Sequence, residues 1–315
     1  MNVTVQEQPA TGSAARMTGV IMSPGPTMQE IVRRPSWIAP MALYLLVLSI
    51  AFGVYAMKAD WVAILTTQIE RYNLSGLAGE DEMDKHIRKK TEDIRKRTQA
   101  QLALANGQNV VGWSVMVFHF FLLVYTTLFV MMGALAEIKL GRAWLNFLAC
   151  LGIYLGVLGV AGLANTVFKD APQSALLLST TATLCFVGAW GWLLDRHTRR
   201  NPELHRMLGA MAHAWVIFVI SSFVLLLLSL LKPAPIETPA DQMVRANLAA
   251  VADTGLPALN ALLSWVDVFS IWCYSVMAIG FRAATRLSTG IAFSITFLPY
   301  ALFAMFHVAF KAISG

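Results

Sequence analysis

Seven apolar runs take up most of the chain, near Pro40–Met57, Val111–Leu135, Ala143–Phe168, Ser174–Leu194, Leu208–Leu231, Ala258–Phe281 and Thr289–Phe310. Each is close to the ~20 residues that a helix needs to cross a hydrocarbon core. No water in that core can bond a bare amide, so runs of this length are constrained to helices that satisfy their own backbone. Charged residues make up 13% of the chain and hydrophobic residues 57%, against about 25% charged in an ordinary soluble domain. The expected fold is an all-α membrane protein, a polytopic transmembrane helix bundle of about seven spans. The fourth run is the least apolar, because Thr180, Thr181 and Thr183 interrupt it.

The net charge of +6 is not the footprint of a nucleic-acid binder, because the basic residues sit between the apolar runs. They read instead as a topology signal. Arg16, Arg33 and Arg34, then Lys139 and Arg142, then Arg196, Arg199, Arg200 and Arg206, then Arg282 and Arg286 fall on one side of a seven-span chain. The short segments on the other side hold only Lys169, Lys232, Arg245 and Lys311. The excess of Lys and Arg in cytoplasmic loops then puts the N-terminus inside and the C-terminus outside. Cys150, Cys185 and Cys273 all lie within runs and form no Cys-x-x-Cys pair, so neither a disulfide framework nor a thiolate metal site is expected.

Residues 1–22 are polar and read as a disordered N-terminal tail. The stretch 58–110 reads as a water-exposed helical loop. Val62, Leu65, Ile69 and Tyr72 form an apolar stripe, and Asp81–Lys85, Asp84–Arg88, Glu92–Lys96 and Asp93–Arg97 place acid before base four residues apart. Such a loop either lies over the membrane as a solvated hairpin or serves as a docking surface for another protein.

No signature of catalysis or cofactor binding occurs: there is no phosphate loop, no His-Glu-x-x-His and no Gly-x-Ser-x-Gly. Gly152, Gly156 and Gly159 line one helix face with small residues, as close helix packing requires. His119, His213 and His307 lie within runs and His205 at the edge of one, with no pair at ligand spacing on one helix. Asp267 is the acid of the sixth run. It continues a polar seam through Asp253, Asn260, Ser264, Ser270 and Tyr274. A carboxylate near mid-bilayer costs about 2.5–3.5 kcal/mol on insertion scales, so something must offset it. Two placements fit. Asp267 caps a spanning helix preceded by an interfacial one, with Ser270 at the third helical position. Otherwise the helix is continuous and Asp267 faces inward toward His213, Asn165 or a hydroxyl.

Several of these stretches together resemble the bacterial Yip1-domain membrane proteins. "SPGPTMQEIVRRPSWIAP" is similar to the opening of that family, on Ser23, Pro24, Met28, Ile31, Pro35, Trp37 and Pro40. "DWVAILTTQIER" resembles the helix that follows the family's first span. "AMAHAWVIF" resembles its histidine-bearing central span through His213. "LSWVDVFSIWCYSVMAIGFRAATRLSTGIA" matches best, on Val266, Asp267, Phe269, Ile271, Trp272, Gly280 and Ser288. The likeness covers about Ser23–Arg97 and Leu208–Ile313, and implies a Yip1-like transmembrane domain over residues 23–315. The family is drawn with five spans, so the chain carries an added helix pair between Val111 and Leu194, and the proline that often follows the family's histidine is missing.

Eukaryotic relatives act in vesicle traffic and bind prenylated GTPases, a system bacteria lack, and no residue here matches such a binding site. The resemblance implies a non-enzymatic protein of a bacterial inner membrane. It would need no cofactor and would work through the lipid bilayer, a membrane-protein partner or a second copy of itself. Pro35, Trp37, Pro40, His213, Asp267, Phe269, Trp272 and Gly280 are the structural or partner-contact candidates. Pro35 and Pro40 should hold their preceding residues extended, and Trp37 suits the membrane interface. The competing expectation is a small-solute or ion transporter built on Asp267, His213, His307 and Asn165. An intramembrane enzyme would need a nucleophile paired to a base, which no motif here provides.

Overall fold

A computed structural model describes residues 12–60, 63, 128–129, 132, 172–236, 244, 246–250 and 257–314. Its elements are α1 (Ser13–Met22), α2 (Pro24–Arg33), α3 (Ile38–Lys58), α4 (Pro172–Thr198), α5 (Pro202–Ala214), α6 (Val216–Leu231), a short 3-10 turn (Leu248–Ala250), α7 (Pro257–Trp265), α8 (Val268–Thr285) and α9 (Thr289–Ser314). Among the described residues there is no strand, only two isolated backbone bridges. Four stretches among the described residues are long and apolar enough to cross a membrane: Ile38–Tyr55, the α5–α6 pair Pro202–Leu231, Val268–Thr285 and Thr289–Ala309.

Four of the seven runs therefore lie on such helices. The fourth run also forms one continuous helix, α4. The second and third runs lie outside the described residues, apart from Leu128, Phe129 and Met132, which are helical and buried in the core. The glycine stripe from Gly152 and the charged loop beyond Asp60, except Ala63, also lie outside them. The sixth run is two helices rather than one, because the chain leaves the helix at Val266 and restarts at Val268.

Helices α3 and α6 run parallel and form the most extensive helix pair. Tyr44, Leu48, Ala51 and Tyr55 make the buried stripe of α3, at spacings of four, three and four, and Ser222, Leu225 and Ser229 answer from α6. At one end Tyr44 meets Trp215 edge-on with ring centroids 5.3 Å apart. At the other, Lys58 Nζ donates to the carbonyls of Leu230 (3.0 Å) and Lys232 (3.2 Å), and Ala59 bridges to Ile236. Both ends are tied, so the register of the pair cannot slide. The outward faces stay apolar, with Leu46 and Ile50 on α3 and Leu227 and Leu230 on α6 exposed. Lipid supplies the partner that a soluble helix would find in its own core.

The N-terminal tail is the clearest correction. Ser13–Met22 is not disordered but forms α1, which packs with α2 as a helical hairpin; residues 1–11 lie outside the described residues. Pro24 opens α2 at a position where a missing N–H costs nothing. Thr27, Met28, Ile31 and Val32 then bury one face of α2 at helical spacing. The hairpin is locked by Arg16, whose Nε donates to Glu30 Oε1 at 3.2 Å and whose Nη1 donates to the Arg34 carbonyl at 2.9 Å. The charge is therefore answered inside the fold.

Helix α2 lies against both α5 and α8. The approach depends on Gly280 of α8: a β-carbon there would sit 2.8 Å from Ala210 Cβ and 2.9 Å from Met28 Sδ. Gly280→Ala should therefore destabilise the bundle by about 1–3 kcal/mol through overpacking. Gly290→Ala, with nothing within 4 Å of its added carbon, should leave thermal unfolding in detergent unchanged or slightly improved. Equal behaviour of the two variants would show that the three-helix contact is looser than described.

Candidate functional site

The contacts sort the bundle into two poles. Helix α8 carries Gly280 and Arg282 at its C-terminal end, against Met28 and Ala210. Gly209 approaches Pro35, with an added β-carbon 3.2 Å from the Pro35 ring. Trp37 Nε1 donates to Asp195 Oδ1 at 3.2 Å, and Asp195 also holds Arg199 at 2.6 Å. Pro35, Trp37, Pro40 and Gly280 thus come together at one end, among Arg16, Arg33, Arg34, Arg199 and Arg282. The opposite end holds Lys58 and Lys232, where α3 and α6 finish. Asp267 opens α8, about 27 Å of helix from its last residue at 1.5 Å per residue.

The extended geometry expected before each proline is met at neither position. Arg34, before Pro35, leaves the helix at φ −133° and ψ 71°, outside the extended region. Ala39, before Pro40, is helical, because α3 starts at Ile38 and Pro40 occupies its first turn, where no intrahelical N–H bond is lost. Trp37 is 4% exposed. Its ring lies inside the protein rather than at a lipid interface, and its N–H is used to hold α4.

Asp267 takes the first of its two placements. It is the N-cap of α8, and its Oδ1 accepts the Ser270 amide at 2.7 Å. The segment beside it is zipped to the chain before α7: the Val268 amide donates to Ala246 and the Leu248 amide to Val266, both at 3.1 Å. Helix α7 packs on α9. Trp265 Nε1 donates to His307 Nδ1 at 2.9 Å, the Tyr300 hydroxyl donates to the Trp265 carbonyl, and the Trp265 and Tyr300 rings meet edge-on at 5.2 Å. Phe269 and Trp272 are half-buried and pack against the core.

His213 is fully buried in α5. Its Nδ1 lies 2.8 Å from the Gly209 carbonyl, which makes that nitrogen the donor, while Nε2 has no hydrogen-bond partner among the described residues. His205 Nδ1 lies 3.3 Å from Thr198 Oγ1. Among the described residues, His205, His213 and His307 do not converge and the inward pairing of Asp267 with His213 is not formed; Asn165 and His119 lie outside them. Among those residues, no group of three or more His, Cys, Asp or Glu could hold a metal ion.

A cleft that the sequence reading did not anticipate opens at the arginine pole, with a volume of about 430 Å³. Gln29, Val32 and Arg33 of α2, Ile279, Arg282 and Ala283 of α8, and Thr289 and Phe293 of α9 line it. Arg33 and Arg282 were legible only as topology charges. The amphipathic spacing of Thr27, Met28, Ile31 and Val32 was the signal that α2 folds back onto the bundle and so forms one wall.

The cap can be checked by substitution. Asp267→Asn and Asp267→Ser should keep near-native stability in detergent, whereas Asp267→Leu should lose about 0.5–2 kcal/mol. Full stability of the leucine variant would rule out the capping role.

No protein-family model, no curated protein and no solved structure matches this chain.

Proposed function

We propose that this chain is a non-enzymatic, multi-pass membrane protein of the Yip1 kind, with a membrane-organising or trafficking-like role exerted through contacts with membrane partners or lipids. The observation that carries this reading is the gathering of arginines at one pole, around a folded N-terminal hairpin and an open cleft. The positive-inside bias assigns that pole to the cytoplasm and, with it, the N-terminus. A bacterial inner membrane is the setting that the sequence resemblance supports.

The motif residues that resemble the family support it in a second way. Pro35 and Gly209 set the approach of α5, Trp37 holds α4, Gly280 admits α2, and Asp267 starts α8. Each has a structural task. The titratable groups nearby are engaged in bonds that build the fold: Asp267 to an amide, His307 to Trp265 and Asp195 to Trp37 and Arg199. Such groups are poorly placed to act as a general acid or base.

The transporter reading draws on one observation: Nε2 of buried His213 has no hydrogen-bond partner among the described residues. It predicts ion or solute flux in proteoliposomes that His213→Gln or Asp267→Asn abolishes. The contact reading predicts no such flux. It also predicts that a photo-crosslinker at Gln29 captures saturable adducts in native membranes, while one at exposed Phe306 captures bulk lipid alone. Substrate-dependent flux lost in either variant, with no specific adduct at Gln29, would replace the contact reading with the transporter.

A further inference from the structure

We infer that the cleft at the arginine pole is a binding site for the anionic headgroup of a glycerophospholipid, with its phosphate between Arg33 and Arg282. The inference rests on the contact reading above and gives that contact a chemical identity.

The charge balance of the walls is the first argument. Helices α8 and α9 contain no aspartate or glutamate, and the acid of α2, Glu30, is paired with Arg16. Neither Arg33 nor Arg282 has an ion-pair partner among the described residues, and no acidic side chain lines the cleft. Two guanidiniums from different helices thus face one cavity with no acid among the described residues to neutralise them. Arginine presents a planar fork of donors that matches phosphate oxygens. The start of α9 lies on the same cavity at Thr289, where the helix dipole adds positive potential.

Shape and position supply the rest. The volume falls within the roughly 300–1,000 Å³ of small-molecule sites. Val32, Ile279 and Phe293 give the cleft an apolar wall beside the basic groups. It opens where two membrane-length helices, α8 and α9, meet. On α9, exposed Ile291, Leu298 and Leu302 carry an apolar surface away from it along the helix. A free inorganic anion would use the arginines and waste that wall. A lipid uses both, with its acyl chains following the helix into the bilayer.

The test uses the full-length purified protein and three probes: dioctanoyl phosphatidylglycerol, dioctanoyl phosphatidylcholine and inorganic phosphate. Thermal unfolding is followed as each is titrated. Phosphatidylglycerol should raise the midpoint saturably, and the other two should not. Arg33→Gln and Arg282→Gln should each weaken that response about tenfold, the loss of one charge-assisted contact. Arg196→Gln and Arg200→Gln, whose side chains do not line the cleft, should leave it intact. Ala283→Trp, which fills the cavity and keeps both arginines, should abolish it.

An equal response to inorganic phosphate would make this a free-anion site and overturn the lipid assignment. Equal loss in all four arginine variants would reduce it to diffuse surface charge, and no response in the wild type would remove it. Saturable protein adducts at Gln29 without lipid binding would sink the cleft proposal and leave the contact reading standing.

Discussion

The seating of α2 against the packed pair α5 and α8 is the contact on which the arginine pole depends. It requires three backbones to approach more closely than ordinary side chains allow, and Gly280 provides the room. Lipid gives helices little hydrophobic reason to associate, so packing of small residues supplies much of the attraction. Ala210, opposite Gly280, and Gly209, opposite Pro35, follow that rule. Once α2 is seated, Arg33 is carried to the same cleft as Arg282.

The two poles are stabilised by different means. At the arginine end, charges and rings are answered inside the protein: Arg16 by Glu30, Trp37 by Asp195. At the far end of α8 the backbone itself is the concern. The chain stops and restarts around Val266, and a helix start leaves amides without intrahelical partners. Asp267 satisfies the Ser270 amide, the Val268 amide bonds across to the Ala246 carbonyl, and the Val266 carbonyl accepts the Leu248 amide. The cost of an acid within an apolar run is offset because it sits at a helix start and not bare in hydrocarbon. The ring cluster of Trp265, Tyr274, Phe297 and Tyr300 then packs this end together.

His213 stands apart from this economy. Every neighbour on α5 from Met207 to Ala214 is buried, and the imidazole uses one nitrogen on its own helix and leaves the other unpartnered among the described residues. A buried acceptor without a partner costs roughly 1–3 kcal/mol. His213 shares that condition with the buried Ser229 hydroxyl of the same stretch, which also has no partner among the described residues.

Much of this protein was determined by sequence alone. Apolar length dictates helices in a solvent without hydrogen bonds, so α3, α6, α8 and α9 were readable from their runs. The cap at Asp267 was readable as one of two placements, because an acid three residues before Ser270 is a local pattern with a local bond. Local patterns also explain the misses. The tail up to Met22 shows little apolar patterning, and its helix exists because Arg16 and Val20 find partners on the hairpin and bundle. The inward turn of Trp37 and the gathering of Arg33 and Arg282 at one cleft each join residues far apart in the chain. Periodicity reports which face of a helix is apolar, but not which helix will cover it. Only the tertiary packing decided that, through the few positions, Gly280 first, where a missing side chain lets two elements meet.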